Sequence, residues 1–413
     1  MFPCQAFSGA PACPLRSTRV RKAVVTTRIA LVCVSPLQHD SRVLRHAALL
    51  ADAGYDVRIL AQAPLPLALP AQVSVMPGPG SDSRVRFGMV LRQAPASLLP
   101  ASADLLYWLS PTRLAARRDL LRFRPDIVIA NDWRALPIAL AAKRASGAHV
   151  IYDSHEFASE EFSDSRRWRL LARRHVARIE ARHIRQADAV VTVSAGIADA
   201  LAERYDLPLP LVVSNTPSWQ ETAFRPTGDP ITVLYNGAVV PRRGLDVLIE
   251  SVRLWPEGFR LMIRGPAQGG YDQHLRSLAE GLGERIVFAP AVPPDQVVSA
   301  AAEADIGIFL LSNSTTHARF AMPNKIFEYM QAGLMVISSD LPEIRQVVET
   351  ASCGLLLDRD TPHSIAACLA GLDPARIDAC KKAALRRARD LNFEGEGAKL
   401  LALVARMPAR GLG

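Results

Sequence analysis

Three features of the chain predict an α/β protein of two Rossmann-like, doubly wound domains facing across a cleft. Short apolar runs alternate with amphipathic helical stretches, the alternation restarts after a proline-rich break, and polar clusters sit just past the apolar runs. Runs that are apolar throughout, without a polar residue at every second position, belong to parallel strands covered by helices on both faces. Ligands of such sheets bind at the carboxyl ends of the strands, so chemistry is sought in the residues that follow each run. A length of 413 residues accommodates two such domains.

Residues 1–27 contain Arg16, Arg19, Arg21 and Lys22, no acidic residue and no long apolar segment. That composition reads as a disordered extension, a transit peptide or sequence upstream of the true start, and it is set apart from the fold. The first domain is expected over 28–217. Its first β-α-β unit is the apolar run 28–34, closed by Ser35-Pro36, a helical pattern over 40–53 stopped by Gly54, and the run 57–60. The unit recurs as strand 127–130, helix 136–145 and strand 150–152, then as strand 189–193 with a helix through Tyr205. Between them, 64–103 is dense in proline and glycine and is expected to be loops with at most a short helix.

Pro217, Pro226, Gly228 and Pro230 mark the boundary. The second domain, 218–390, alternates strands 231–235, 260–263, 286–289, 306–310 and 335–338 with helices 244–254, 271–282, 294–304 and 323–333. The segment 391–413 predicts a terminal helix over 393–407 that crosses back onto the first domain.

Hydrophobic residues at 49% with 22% charged exclude a disordered chain, and no apolar run reaches the roughly 18 to 20 residues that span a bilayer. The six cysteines, at 4, 13, 33, 353, 368 and 380, have neither zinc spacing nor the framework of a secreted disulfide protein, so a cytoplasmic location is expected. Residues 1–215 hold 28 Lys and Arg against 18 Asp and Glu, and 216–413 hold 21 against 22, so the net +9 lies in the first half. It concentrates in Arg166, Arg167, Arg169, Arg173, Arg174, Arg178, Arg182 and Arg185, interleaved with apolar residues as in a basic amphipathic helix. Such a helix lies on an anionic membrane, contacts nucleic acid, or is a solvated helix with one buried stripe. The absence of any nucleic-acid module or aromatic platform argues against nucleic acid.

The helical stretch 323–333 opens on Pro323, closes on Gly333, and carries Lys325 and Glu328 on one face. A cation beside a helix N-terminus suits a phosphate and a carboxylate one turn on suits a sugar diol, although the same spacing describes a surface ion pair. In the same domain Gly237 follows a strand and permits close approach, and Arg242-Arg243-Gly244 offers guanidinium forks just before a helix. In the first domain His39-Asp40-Ser41-Arg42, Asn131-Asp132-Trp133 and Asp153-Ser154-His155-Glu156 each follow a strand. Asp358-Arg359-Asp360 imitates a metal-binding Asp-any-Asp but reads as a polar turn after an apolar run.

Together, Asp153-Ser154-His155-Glu156, Gly237 with Arg243-Gly244, and Pro323-Asn324-Lys325-Ile326-Phe327-Glu328-Tyr329-Met330 resemble the GT-B glycosyltransferases of family 4 over residues 28–408. The resemblance implies retaining transfer from a UDP- or GDP-linked sugar to a glycan or lipid-linked acceptor in cell-surface glycan synthesis, with no cofactor and no obligatory metal. It implies that Glu328 binds the ribose, that Arg243 and Lys325, with Gly237, Arg242 and Asn324, hold the diphosphate, and that His155 is the active-site histidine. His39, Asp40, Arg42, Asp132 and Glu156 would face the acceptor. Retention is explained in that family by front-face attack, a donor phosphate oxygen taking the acceptor proton, so that His155 stabilises and positions.

Two departures stand out. Family members commonly carry a glutamate where this chain has Phe320, and an arginine where it has Ala238. These departures keep two alternatives in view, a nucleotide-sugar epimerase and a nucleotide-sugar-binding protein without catalysis. The arginine-rich stretch adds a peripheral membrane location to the expectation.

Overall fold

The computed structural model describes residues 26–66, 68–76, 103–311 and 315–407. Two sheets account for the described strands, and every pairing in both is parallel. The first contains β1 (Arg28–Pro36), β2 (Asp56–Gln62), β3 (Gln72–Met76), β4 (Ile127–Asn131), β5 (His149–Ser154), β6 (Ala189–Thr192) and β7 (Leu211–Val212), in the order β3-β2-β1-β4-β5-β6-β7. The second contains β8 (Ile231–Asn236), β9 (Phe259–Arg264), β10 (Ile286–Ala289), β11 (Ile306–Phe309), β12 (Met335–Ser339) and β13 (Gly354–Leu357), in the order β10-β9-β8-β11-β12-β13. Each order reverses direction after its first strand, between β1 and β4 and between β8 and β11, which opens a crevice at the carboxyl ends.

The apolar runs form these strands because both faces of each sheet are covered. All of β4 and all of β12 are buried, β4 between helices that contribute Leu136 and Leu120 on one side and Val43 and Leu50 on the other. Register then sets the site: Cys33 pairs with Asn131, and Asn131 with Asp153, so the residues after β1, β4 and β5 emerge at one level.

The terminal helix Phe393–Ala405 does cross back. Leu400 and Val404 join Ile29, Leu31 and Ile129 in one core, and at Gly397 a Cβ would come within 2.8 Å of Leu49 Cδ2. The Ser214 N–H donates to Glu396 Oε2 at 2.8 Å and fixes the crossing. In the second domain a buried ion pair, Lys381 Nζ to Asp305 Oδ1 at 2.9 Å, fastens the helix Pro374–Ala388 to the sheet, and Asp305 also accepts from the Thr232 N–H at 2.9 Å.

Two expectations need correction. Part of the stretch expected to be loops is a strand, β3, at the edge of its sheet; it is too short and too evenly exposed to show a clear pattern. Residues 67 and 77–102 of that stretch, like 1–25, lie outside the described residues. The basic stretch 166–185 is two helices, Arg166–Leu171 and Arg173–His183, broken at Ala172, followed by a short 3-10 turn. The second buries His175, Val176, Ile179, Glu180 and His183 against its own domain, and several arginines of the stretch are engaged by partners of that domain while staying largely exposed. Arg173 pairs with Glu160, Arg182 Nε with Asp104 at 2.8 Å, and Arg185 donates to the Tyr205 carbonyl at 2.7 Å.

Candidate active site

The carboxyl ends of the two sheets enclose a cleft of about 1220 Å³, lined from one side by Asp40, Arg42, His155 and Glu156 and from the other by Arg242, Arg243, Asn324, Lys325 and Glu328. The helix Asn324–Gln331 starts at Pro323, which is extended and has no side chain to cap the first turn. Its leading N–H groups and positive dipole end are therefore available to an anion. Tyr329 anchors the helix, its hydroxyl accepting from the Asn236 N–H at 3.0 Å, while Ile326, Phe327 and Met330 are buried; Gly333 ends it at φ 71°.

Lys325 lies across Gly237. A Cβ there would stand 2.0 Å from Lys325 Cε and 2.7 Å from Nζ, so what approaches this glycine is the lysine itself. Among the described ion pairs none joins Lys325 to Glu328 in direct contact, although each charge acts on the other. Burial lowers the Lys325 pKa, Glu328 opposing and Arg243 adding; burial raises the Glu328 pKa, with Lys325 and Arg45 opposing. Two partly buried charges without a direct protein partner on one face of the cleft are available to a polar ligand. Arg243 stands on the same wall, whereas Arg242, held at φ 72°, reaches across the cleft to Asp164 of the first domain.

On the opposite wall His155 is held between two carboxylates, Nδ1 3.8 Å from Asp132 Oδ2 and Nε2 3.3 Å from Asp153 Oδ2. Burial alone would lower its pKa, but Asp132 and Asp153 raise it to about 10. A protonated imidazole donates from both nitrogens and accepts from neither, so His155 is suited to orient and stabilise rather than to take a proton. Burial would raise the Asp153 pKa, but the Arg42 fork and His155 hold it well below the usual carboxylate range. Arg42 gives Nε and Nη2 to Asp153, both at 2.9 Å, and Nη1 to the Val213 carbonyl at 2.7 Å. Its guanidinium is thus turned inward as a support for Asp153. Burial raises the Asp132 pKa against the pull of His155, and the residue sits at φ 65°, accepting the His155 N–H at 3.2 Å.

Asp40 caps the helix Ser41–Asp52 through the Val43 N–H at 3.2 Å, and the His39 side chain lies outside the described residues. Glu156 pairs across the cleft with His317 Nε2 at 3.0 Å. Phe320 leaves the cleft: its ring meets Phe157 of the first domain edge-on at 6.2 Å, and its carbonyl accepts from Ser194 Oγ at 2.7 Å. Glu343 Oε1 accepts from the Gly196 N–H at 2.6 Å, joining the second domain to the first turn of a first-domain helix. His46, 3.5 Å from Asp153, and Arg45, whose guanidinium hydrogen-bonds Asn215 and whose charge acts on Glu328, are absent from the sequence-derived set, as are Glu161, Asp164 and His317. Arg45 and His46 follow Arg42 on the same helix, and that spacing is the one signal that could have found them.

A family model described as "Glycosyl transferase 4-like domain" matches residues 40–216, and one described as "Glycosyl transferases group 1" matches residues 230–372. The chain is 26% identical over 404 residues to the D-inositol 3-phosphate glycosyltransferase of Acidothermus cellulolyticus, an alignment covering 89% of this chain and 85% of that protein. Sucrose-phosphate synthase from Thermosynechococcus elongatus has the same fold with a TM-score of 0.73 at 15% identity, covering 92% of this chain and 98% of that one. Anabaena Alr3699/HepE in complex with UDP and glucose matches with a TM-score of 0.66 at 14% identity, covering 92% and 100%. With both halves matched in order and both sheets in place, the chain belongs to the GT-B glycosyltransferases of family 4.

Proposed function

We propose that the protein transfers a sugar, with retention of configuration, from a UDP- or GDP-linked donor to a hydroxyl of a glycan or lipid-linked acceptor in cell-surface glycan synthesis. The observation that carries this is that Lys325 and Arg243, with an uncapped helix N-terminus, line the same cleft as His155. The donor diphosphate sits against that helix end, and Glu328 takes the ribose hydroxyls. As the bond from the anomeric carbon to the diphosphate breaks, negative charge grows on the leaving phosphate, and Lys325, Arg243 and the helix dipole stabilise it. The acceptor oxygen bonds to the anomeric carbon from the same face, and its proton passes to the departing phosphate oxygen. His155, kept cationic by Asp132 and Asp153, orients the transferred sugar. On this reading the chain's own cations do the work that a divalent metal does elsewhere, and chelation leaves activity unchanged.

The name of the Acidothermus cellulolyticus relative supports a hydroxylated acceptor, and the UDP in the Anabaena structure supports a uridine nucleotide. The decisive experiment incubates the purified protein with UDP- and GDP-sugars and acceptor extracts, following nucleotide release and the anomeric configuration of the product. Release with an inverted product refutes retention. Interconversion of the sugar without release favours an epimerase, and nucleotide-sugar binding with no turnover favours a binding protein.

Membrane contact is part of the same proposal. Arg166, Arg167, Arg169 and Arg174 are exposed and flank Leu170, 75% exposed. Binding to anionic vesicles is expected to weaken with salt and to disappear when these four arginines are neutralised.

A further inference from the structure

The loop after β5 carries four acidic side chains, Glu156, Glu160, Glu161 and Asp164, and three of them are engaged. Glu156 pairs with His317, Glu160 with Arg173, and Asp164 with Arg242. Glu161 has no hydrogen bond or ion pair among the described residues, yet it is only partly exposed and lines the cleft. Of the six acids on the cleft wall, Asp40 caps a helix and Asp360 accepts from Ser339 Oγ at 2.7 Å, which leaves Glu328 and Glu161 without a partner, one on each wall. Burial raises the Glu161 pKa to about 7; Arg134 and His317 oppose the rise, and Asp132 and Glu156 add to it. A half-buried carboxyl that lines the cleft and has no protein partner among the described residues is available to hydrogen-bond a hydroxyl-bearing ligand.

The short second-domain helix that borders the cleft carries no acid. The Phe320 ring is packed against Phe157 outside the cleft, so the helix Thr316–Phe320 presents no carboxylate to a sugar. We propose that Glu161 supplies, from the first domain, a carboxyl that hydrogen-bonds a sugar hydroxyl in the cleft. The inference rests on the transferase reading above. The hydroxyl belongs either to the transferred sugar or to the acceptor, and the two sources separate experimentally. A donor-side contact strengthens binding of a nucleotide sugar but not of the bare nucleotide, whereas an acceptor-side contact changes only the acceptor KM.

The test uses the full chain and its Glu161→Ala and Glu161→Gln variants, with UDP alone, UDP-glucose as the first donor probe, and the donor and acceptor found active in the assay above. In Glu161→Ala, UDP affinity is expected to stay within about two-fold, while either the nucleotide-sugar Kd or the acceptor KM rises by about ten-fold. Glu161→Gln, which keeps the length and hydrogen-bonding capacity, recovers part of the loss. Unchanged donor and acceptor constants in Glu161→Ala overturn the proposal, as does a loss of UDP affinity equal to the loss for UDP-glucose. Failure of the wild-type chain to release nucleotide from any sugar refutes the transferase reading itself, before any variant is made.

Discussion

Adding a methyl group at Gly237 is expected to displace Lys325 from the diphosphate position while leaving the fold intact. The new Cβ would overlap Lys325 Cε at 2.0 Å and Nζ at 2.7 Å, so the lysine must swing away. The displaced atoms are the far end of a flexible side chain, so repacking costs little. The remaining penalty is backbone strain at φ 153°, of the order of 1–3 kcal/mol, against about 5–15 kcal/mol for a whole domain. A hydrogen bond to a charged group contributes about 1.5–3 kcal/mol, so losing the lysine contact weakens UDP binding roughly ten-fold to a hundred-fold. Titration calorimetry of Gly237→Ala with UDP reads this directly, and a thermal melt checks that the protein remains folded. Because both changes remove the same contact, Gly237→Ala combined with Lys325→Ala should bind UDP no more weakly than Lys325→Ala alone. Wild-type UDP affinity in Gly237→Ala, or fully additive losses in the double variant, would refute the assignment of Lys325 to the diphosphate.

Lys381→Ala removes the buried cation from Asp305, which keeps Arg225 at 3.2 Å, and should destabilise the second domain by about 1.5–3 kcal/mol, read as a lowered urea midpoint. The folded pKa of His155 lies above its unfolded value, so its contribution to stability is fully present below about pH 6.5 and is lost as pH rises through about 10. Removing its partner in Asp153→Asn should flatten that decline in a melting-temperature series from pH 6 to 10, and an unchanged slope would show that the carboxylate does not hold the proton. Glu343→Ala removes the interdomain hydrogen bond to the Gly196 N–H in the first turn of the helix Ala195–Tyr205, whose own cap is Ser194. A hydrogen bond to a charged group contributes about 1.5–3 kcal/mol to holding the two domains together, so small-angle scattering should show a larger radius of gyration, and an unchanged profile would make the contact incidental.

The parallel core was legible because its strands are apolar throughout: β1, β4, β8 and β12 stand at the positions their runs of Val, Ile, Leu and Ala predict. Edge strands were not. β3 is exposed or partly exposed along all but its last residue, and β7 is two residues long, so neither offers enough periodicity to distinguish it from a loop. The helices Pro362–Ala370 and Pro374–Ala388 do carry local signals, since Thr361 and Asp373 cap them and proline opens each. The second-domain wall was readable because Lys325 and Glu328 share one helix and Gly237 ends one strand. The first-domain wall depended on contacts between distant positions. Arg42 and Asp153 are 111 residues apart, and only the folded register shows that the guanidinium supports the carboxylate instead of facing the cleft. Glu161 was invisible for a related reason, since its role depends on three neighbouring acids finding partners on other elements.

The terminal helix has a consequence for the order of assembly. Leu400 and Val404 complete the core beneath β1 and β4, the strands whose ends carry Asp40 and Asp132. As the chain emerges from the ribosome, the first domain can form its sheet early but must wait for nearly four hundred residues before that face is sealed. The second domain has by then been made, so the catalytic wall of the first acquires its final support only when its counterpart is already present. A nascent or truncated fragment ending before residue 400 would expose Ile29, Leu31 and Leu50 to chaperones, and this polypeptide becomes competent as one unit rather than half by half.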